Sequence, residues 1–369
     1  MPEPVLLLVR ELNLGGCERD LTRLAIHIDR KRFAPHVGCF HEQGVCLPPL
    51  RAAGVPVVRF PVTSFQHPSA LAGARQMGRY IREHGIRLVQ AFDVPMCAWG
   101  IPVAAWYRVP VIISSQLSFR DSRLAAAAQF RLLRWGDRFA THFFVNSRAV
   151  LNHMVQDEGI PAEKQFLAHN GVDIHAFHPV GRVESEEAIV FGALCALRPE
   201  KQLTLLLEAF ARIPLPSARL LIVGSGTELE PLRQRAEQLG IAKRIHFESA
   251  TSDVPSWLRR MDIFALTSGT ESFPNALLEA MACGCAVVSA NVGGVSELVT
   301  DNQTGLLFPS GDVEALADRL TTLASDCTLR HRLGQTAAQH ARDNFSADLY
   351  AERLSGLYTR LLAEKGIRV

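Results

Sequence analysis

The sequence predicts an α/β protein built from two doubly wound domains, and three observations carry that expectation. Short apolar runs alternate with amphipathic stretches along most of the chain, the pattern of parallel strands joined by helices. The pattern stops at one polar, glycine-containing segment, Val180–Glu187, and then starts again. The chain has 369 residues with 48% hydrophobic content, too long for one ordinary core and well suited to two.

Val5–Val9 is a compact apolar run fit for a central parallel strand. A loop, Arg10–Gly16, leads into a helix from Cys17 to about Ile28. The next apolar runs are His36–Phe40, Val55–Phe60, Arg87–Ala91, Val109–Ser114 and His142–Val145. Helical stretches between them cover Val45–Ala53, Pro68–His84, Pro95–Tyr107 and Ser122–Asp137. Ser147–Gly159 adds a helix and Gln165–Ala168 a short strand. After the linker, strands are expected at Ala188–Ala193, Ala218–Val223, Arg244–Phe247, Asp262–Leu266, Ala286–Ser289 and Gly305–Phe308. Helices are expected at Glu200–Ile213, Thr227–Leu239, Val254–Arg260, Pro274–Cys283, Val295–Val299 and Asp312–Ala324. Two more, Leu329–Asp343 and Ala347–Lys365, end the chain. The domains are therefore placed at 1–180 and 181–345, with a last helical segment, 346–369, crossing back to the first. In open parallel sheets ligands bind at the carboxyl ends of strands, which points to a cleft between two such domains.

Composition excludes several classes. A net charge of +2 gives no footing for nucleic acid. The eight cysteines are scattered, and Cys283 and Cys285 lack a His/Cys cluster to complete a zinc site, so thiols in a reducing cytosol are expected. The N-terminal run lacks the basic flank and length of a signal peptide. No apolar stretch reaches 18 residues, so a cytoplasmic location is expected, with peripheral contact at the inner membrane face left open. Residues 119–138 are the stretch that would carry such contact. They hold Arg120, Arg123, Arg131, Arg134 and Arg138 against Asp121 and Asp137, five minus two, net +3, among Leu, Phe130 and Trp135. A basic amphipathic helix docks on anionic headgroups, although the same composition suits a solvated outer helix.

The densest chemistry lies in Thr270–Ala282. Glu271 sits in a loop after an apolar strand, and Glu279 sits about a turn inside the following helix, where Pro274 suits the first turn. Both carboxylates can meet one ligand lying across the helix N-terminus, whose unpaired N–H groups favour negative charge. A ligand offering hydroxyls to the carboxylates and anionic groups to the N–H donors is required, and a nucleotide sugar has both. Arg198 and Lys201 follow the first strand of the second domain, where a guanidinium fork and an ammonium suit a phosphate. Gly15-Gly16 follows the first strand of the chain and either admits a ligand or makes a plain turn. Gly224-Ser225-Gly226 leaves backbone room beside a nucleotide. It is an incomplete dinucleotide fingerprint, because Leu229 stands where the third glycine belongs. No Asp-x-Asp triplet is present, so a leaving diphosphate is expected to be stabilised by Arg198, Lys201 and helix N-termini without a metal or other cofactor.

These pieces together resemble the retaining nucleotide-sugar glycosyltransferases of family 4, with their two-domain GT-B fold of Rossmann-like domains facing across a cleft. The resemblance runs nearly end to end. It rests on Gly15-Gly16-Cys17-Glu18-Arg19, Val145-Asn146-Ser147, Asn170-Gly171-Val172-Asp173 and Leu197-Arg198-Pro199-Glu200-Lys201. It continues through Gly224-Ser225-Gly226, Glu271–Glu279, Gly293-Gly294 with Glu297, and Thr304-Gly305-Leu306-Leu307. It implies that Arg198 and Lys201 hold the diphosphate and that Glu271 contacts sugar hydroxyls. It further implies that Ser272, Phe273, Pro274 and Asn275 form the loop and helix start against sugar and phosphates, and that Glu279 binds the ribose. Gly15 and Gly16 would meet the diphosphate or the transferred sugar through backbone. Where family members carry a histidine at a first-domain strand end, this chain has Asp93 and Gln116, which are assigned to acceptor or sugar. The implied reaction is retaining transfer from a nucleoside diphosphate sugar, UDP-sugar favoured, to a hydroxyl acceptor such as a lipid-linked or polysaccharide glycan. The leaving phosphate itself would help deprotonate that acceptor. The rival readings are a non-catalytic nucleotide-sugar-binding subunit and an epimerase or phosphorylase on the same architecture.

Overall fold

The computed structural model describes residues 2–119, 127–180 and 188–369. The segment 181–187, expected as linker, lies outside them, as do Arg120, Asp121 and Arg123 of the basic stretch. The chain divides into two compact units, Met1–Gly171 with Ala347–Val369, and Val172–Ser346. Residues 172–180 thus group with the second unit, although the sequence placed them in the first domain. The cause is local bonding. Val172 donates its N–H to Phe345 O at 2.7 Å, and Arg259 holds the carbonyls of Ala176 and His178.

In the first unit the elements run β1 (Glu3–Leu8), α1 (Gly16–His27), β2 (Phe33–Cys39), α2 (Leu47–Ala52), β3 (Val57–Arg59), α3 (Ser69–Glu83), β4 (Leu88–Ala91), α4 (Val94–Trp106), β5 (Val111–Gln116), α5 (Ala127–Asp137), β6 (His142–Val145), α6 (Arg148–Gln156) and β7 (Gln165–Leu167). Among the described residues the sheet has seven strands in the order β3-β2-β1-β4-β5-β6-β7, every pair parallel. Such a sheet is covered on both faces, which is why Val5–Val9 reads as an unbroken apolar run and is wholly buried.

The second unit carries β8 (Val190–Leu194), α7 (Leu203–Ala211), β9 (Arg219–Val223), α8 (Leu229–Gln238), β10 (Ile245–Glu248), α9 (Val254–Leu258), β11 (Ile263–Leu266), α10 (Asn275–Ala282), β12 (Ala286–Ala290), α11 (Val295–Leu298), β13 (Leu306–Phe308), α12 (Val313–Ser325) and α13 (Cys327–Asn344). Its six described strands are again all parallel, in the order β10-β9-β8-β11-β12-β13. The last helix, α14 (Ala347–Ala363), belongs to the first unit. It buries Tyr350, Leu354, Leu357, Tyr358, Leu361 and Leu362 in that core. Each such side chain is worth about 1.5–3 kcal/mol on burial. Tyr358 OH also donates to Gln90 Oε1, whose Nε2 donates to Ser115 Oγ at 2.9 Å.

Strand order places the sites. In both sheets the winding reverses beside the first strand, between β1 and β4 and between β8 and β11. Ligands of doubly wound sheets bind beyond the strand ends at such a switch point. The loops leaving β1 and β4 carry Gly15 and Asp93, and Gly16 opens α1 directly after the first of them. Those leaving β8 and β11 carry Arg198, Lys201 and Glu271.

Candidate functional site

Beyond β8 the chain does not enter a helix at Glu200, as its composition suggests. Pro199–Lys201 is a single 3-10 turn, and Gln202 adopts φ 48°, ψ 40° before α7 begins at Leu203. Proline fixes the turn's first φ, and the left-handed Gln202 prevents the turn from running on into α7. The turn is braced from the loop after β11. Thr267 Oγ1 donates to Lys201 O at 2.8 Å, and Gly269 N donates to Glu200 O at 2.9 Å. Lys201 Nζ then meets Glu271 Oε1 at 2.6 Å, with side-chain exposures of 22% and 12%. Arg198 stands well out, 66% exposed and 3.9 Å from Glu200.

The glycines at 224 and 226 have a different local task from the one composition suggests. A Cβ on Gly224 would lie 1.9 Å from Cys195 O, and one on Gly226 would lie 2.1 Å from Leu197 O. Leu197 N donates to Ser225 O, and Glu228 N donates to Leu197 O. The glycine loop therefore clamps the backbone leading into Arg198, and it needs glycine because two main chains touch.

Glu271 is anchored through its own carbonyl, which accepts from Gly294 N at 3.1 Å. Pro274 precedes α10 with φ −78°, ψ 105°, as the residue before its first turn and not within it. The Phe273 side chain is buried and packs on Phe345 with ring centroids 5.6 Å apart, which pins the loop between Glu271 and Asn275. Glu279 is fully buried, one turn inside α10. Burial also pushes the thiols of Cys195 and Cys283 up to about 12, which takes them out of the range of reactive thiolates.

The first unit's strand ends are acidic. Gly15 caps α1, and a Cβ there would fall 2.0 Å from Glu18 Oε2. Glu18 thus folds back over the N-terminus of its own helix, so a side-chain carboxylate already lies where a ligand's anion was expected. Desolvation raises the Glu18 pKa. Asp93 caps α4, accepting from Met96 N at 2.9 Å and from Arg10 N at 2.5 Å. Burial raises its pKa to about 6. Gln116 ends β5 and is buried. Its Nε2 donates to Ser114 Oγ at 2.8 Å and leans on Asp137 at 3.4 Å, so its amide serves an internal network.

The sequence pointed to Lys201 and Glu271 separately, and the fold makes them one ion pair. The bracing Thr267 and its neighbours Ser268 and Gln202 were missed. Their signal was positional: hydroxyl residues directly after a strand at the switch point, and a glutamine after the turn's lysine.

In comparison with known proteins, the family model described as Glycosyltransferase Family 4 matches residues 14–176, and that described as Glycosyl transferases group 1 matches residues 178–340. D-inositol 3-phosphate glycosyltransferase of Corynebacterium glutamicum (strain R) is 38% identical over 181 residues, 46% of this chain and 43% of the relative. N-acetyl-alpha-D-glucosaminyl L-malate synthase of Bacillus anthracis is 31% identical over 185 residues, 50% of this chain and 48% of the relative. The chain thus spans about half the length of these curated relatives. Among solved structures, Anabaena Alr3699/HepE in complex with UDP and glucose aligns with a TM-score of 0.86 at 24% identity, over 97% of this chain and 100% of that one. Sucrose-phosphate synthase from Thermosynechococcus elongatus aligns at 0.84 and 17% identity, over 98% and 100%.

Proposed function

We propose that this chain, which belongs to glycosyltransferase family 4, moves a sugar from a nucleoside diphosphate sugar to a hydroxyl acceptor with retention at the anomeric carbon. The observation that carries the reading is the Lys201–Glu271 pair at the switch point of the second sheet, with Glu279 buried one turn into the helix that follows. In this reading Arg198 and Lys201 take the diphosphate, Glu271 the sugar hydroxyls and Glu279 the ribose. The loop Ser272–Asn275 adds the N–H groups at the start of α10. The C1–O bond to the phosphate breaks and a C1–O bond to the acceptor forms on the same face. The acceptor's proton passes to the leaving phosphate oxygen. Lys201, Arg198 and the helix start stabilise the negative charge that builds on that phosphate, so no metal is required. UDP is the favoured carrier, supported by the complexes of the Anabaena neighbour with UDP and with UDP-glucose. A glycan or lipid-linked hydroxyl is the acceptor class. Asp93 and Gln116 act on the acceptor side by shaping the first unit's strand ends.

The test is product formation from UDP-glucose and related donors in excess EDTA, with the anomeric configuration read by NMR. Retained activity and retained configuration are expected. Complete loss of turnover in the chelator contradicts the metal-independent step.

A second contact is proposed with an anionic lipid surface. Among the described residues no helix is long and apolar enough to cross a membrane. However, α5 and the second residue after its end expose Leu132, Trp135 and Phe139, in the stretch that also carries Arg131 and Arg138. Sedimentation with phosphatidylglycerol vesicles should fall in a Trp135→Ala, Arg131→Glu, Arg138→Glu variant. Equal pelleting contradicts the contact.

A further inference from the structure

Gln202 directly follows Lys201 and sits in the left-handed region, φ 48°, ψ 40°. A residue with a Cβ pays for that conformation, and such outliers gather at functional sites. The described residues hold two other non-glycine cases, Arg108 and Asn302. Arg108 follows the end of α4, where helices commonly take this shape, and asparagine tolerates it. Gln202 both ends the 3-10 turn and precedes α7, with neither glycine nor asparagine to ease the conformation. Its side chain lies against Gly269, where a Cβ would be 2.6 Å from Gln202 Nε2.

A second, independent observation sits on the same loops. Gln202 Oε1 and Ser268 Oγ are both buried with no hydrogen-bond partner among the described residues, and Ser268 is only 1% exposed. A buried polar atom left unmatched costs stability, so each calls for an explanation. Neighbouring Thr267, by contrast, is matched to Lys201 O. The two unmatched oxygens therefore flank the loops that carry Lys201 and Glu271.

We infer that Gln202 and Ser268 are donor-recognition residues that accept hydrogen bonds from hydroxyls of the transferred sugar. The inference rests on the donor reading above and adds two residues and a ligand chemistry to it. The Gln202 carboxamide oxygen only accepts and a fully ionised phosphate has no hydrogen to give, so between the diphosphate and the sugar it selects the sugar. Ser268 Oγ, able to donate or accept, is assigned to the same group because it sits on the adjoining loop. The sugar is chosen over the ribose because Gln202 packs on Gly269, two residues before Glu271, whereas the ribose carboxylate Glu279 lies a turn inside α10.

The experiment is calorimetric titration of UDP-glucose, UDP-N-acetylglucosamine, GDP-mannose, UDP and GDP into the full chain. It is run on wild type, Gln202→Gly, Gln202→Asn and Ser268→Ala, with Tm measured for each. Gln202→Gly relieves the left-handed backbone, and Ser268→Ala removes an unmatched hydroxyl. A purely structural role for either residue therefore gives an equal or higher Tm and an unchanged Kd. Gln202→Asn keeps an amide and a tolerant backbone but shortens the reach. The inference expects Tm to be held or raised while the preferred nucleotide sugar binds about tenfold more weakly, with the free diphosphate unaffected. Unchanged sugar-nucleotide affinity in all three variants overturns it, as does an equal loss for the free diphosphate. If wild type binds none of the nucleotide sugars, the donor reading fails and takes the inference with it. If wild type binds and the variants match it, the inference alone is lost.

Discussion

At the switch point of the first sheet, between β1 and β4, the charged side chains include Arg10, Glu11, Glu18, Arg19 and Asp93. Arg10 pairs with Glu11 at 2.7 Å, and the other two carboxylates serve as helix caps with raised pKa values. At the matching point of the second sheet, between β8 and β11, they are Arg198, Glu200, Lys201 and Glu271. Strand order and winding are alike in the two regions. One uses its carboxylates to finish its own helices, whereas the other keeps an exposed guanidinium and an ammonium–carboxylate pair on braced loops. A shared fold therefore says where a ligand can bind, and the charge left over after local bonding says which ligand. In the proposed reading the second unit takes the anionic, hydroxyl-rich donor. The first suits a partner without negative charge near Asp93 and Glu18.

The largest effect that would sharpen this contrast is on transfer itself. Lys201→Ala and Glu271→Ala should each lower kcat/KM by on the order of a thousandfold. The double variant should lose less than the sum of the two, because each residue positions the other across the 2.6 Å contact while meeting a different part of the donor. Product formation measured for the three variants checks this, and fully additive losses would show that the pair does not couple.

Next in size is Gly226→Ala. A Cβ placed 2.1 Å from Leu197 O must push apart the loop that carries Arg198. A loss of about 2–4 kcal/mol is expected by urea denaturation. An unchanged midpoint would free the glycine loop for a direct ligand role.

A smaller, pH-dependent effect belongs to the first unit. Burial raises the Asp93 pKa from 3.8 to about 6 in the folded state. The folded chain thus binds this proton more tightly than the unfolded chain, and stability falls as pH rises from about 4 to about 6. Asp93→Asn removes the buried charge and keeps one oxygen for Met96 N, but its NH2 then faces Arg10 N, which loses its acceptor. The variant carries that fixed cost at every pH, and relative to wild type it should gain about 1–3 kcal/mol between pH 4 and pH 8. A constant difference across that range would mean that the carboxylate is not destabilised by burial.

Much of this architecture was legible in the residues. Val5–Val9, Ala218–Val223 and Asp262–Leu266 are short, apolar and bounded by loop residues, so their strands could be placed within a residue or two. Glu271 and Glu279 could be placed because a proline and a helix-forming run separate them. The missed features depend on backbone conformation, on rotamers and on contacts distant in sequence. The turn at Pro199–Lys201 stops because Gln202 is left-handed, and its brace comes from Thr267, 66 positions away. Glu18 occupies the helix start next to Gly15 through a rotamer that no spacing rule reports. Gln116 faces inward because Ser114 and Asp137 need its amide. The unit boundary fell at Val172 because a main-chain bond to Phe345 outweighs the polar composition of the segment that follows.

The central claim, that the nucleotide is held by the second unit, is tested most directly by titrating UDP into wild type, Glu279→Gln and Asp93→Asn. Affinity about tenfold or more weaker in Glu279→Gln, with Asp93→Asn equal to wild type, is the predicted result. Affinity lost in Asp93→Asn and kept in Glu279→Gln would contradict it.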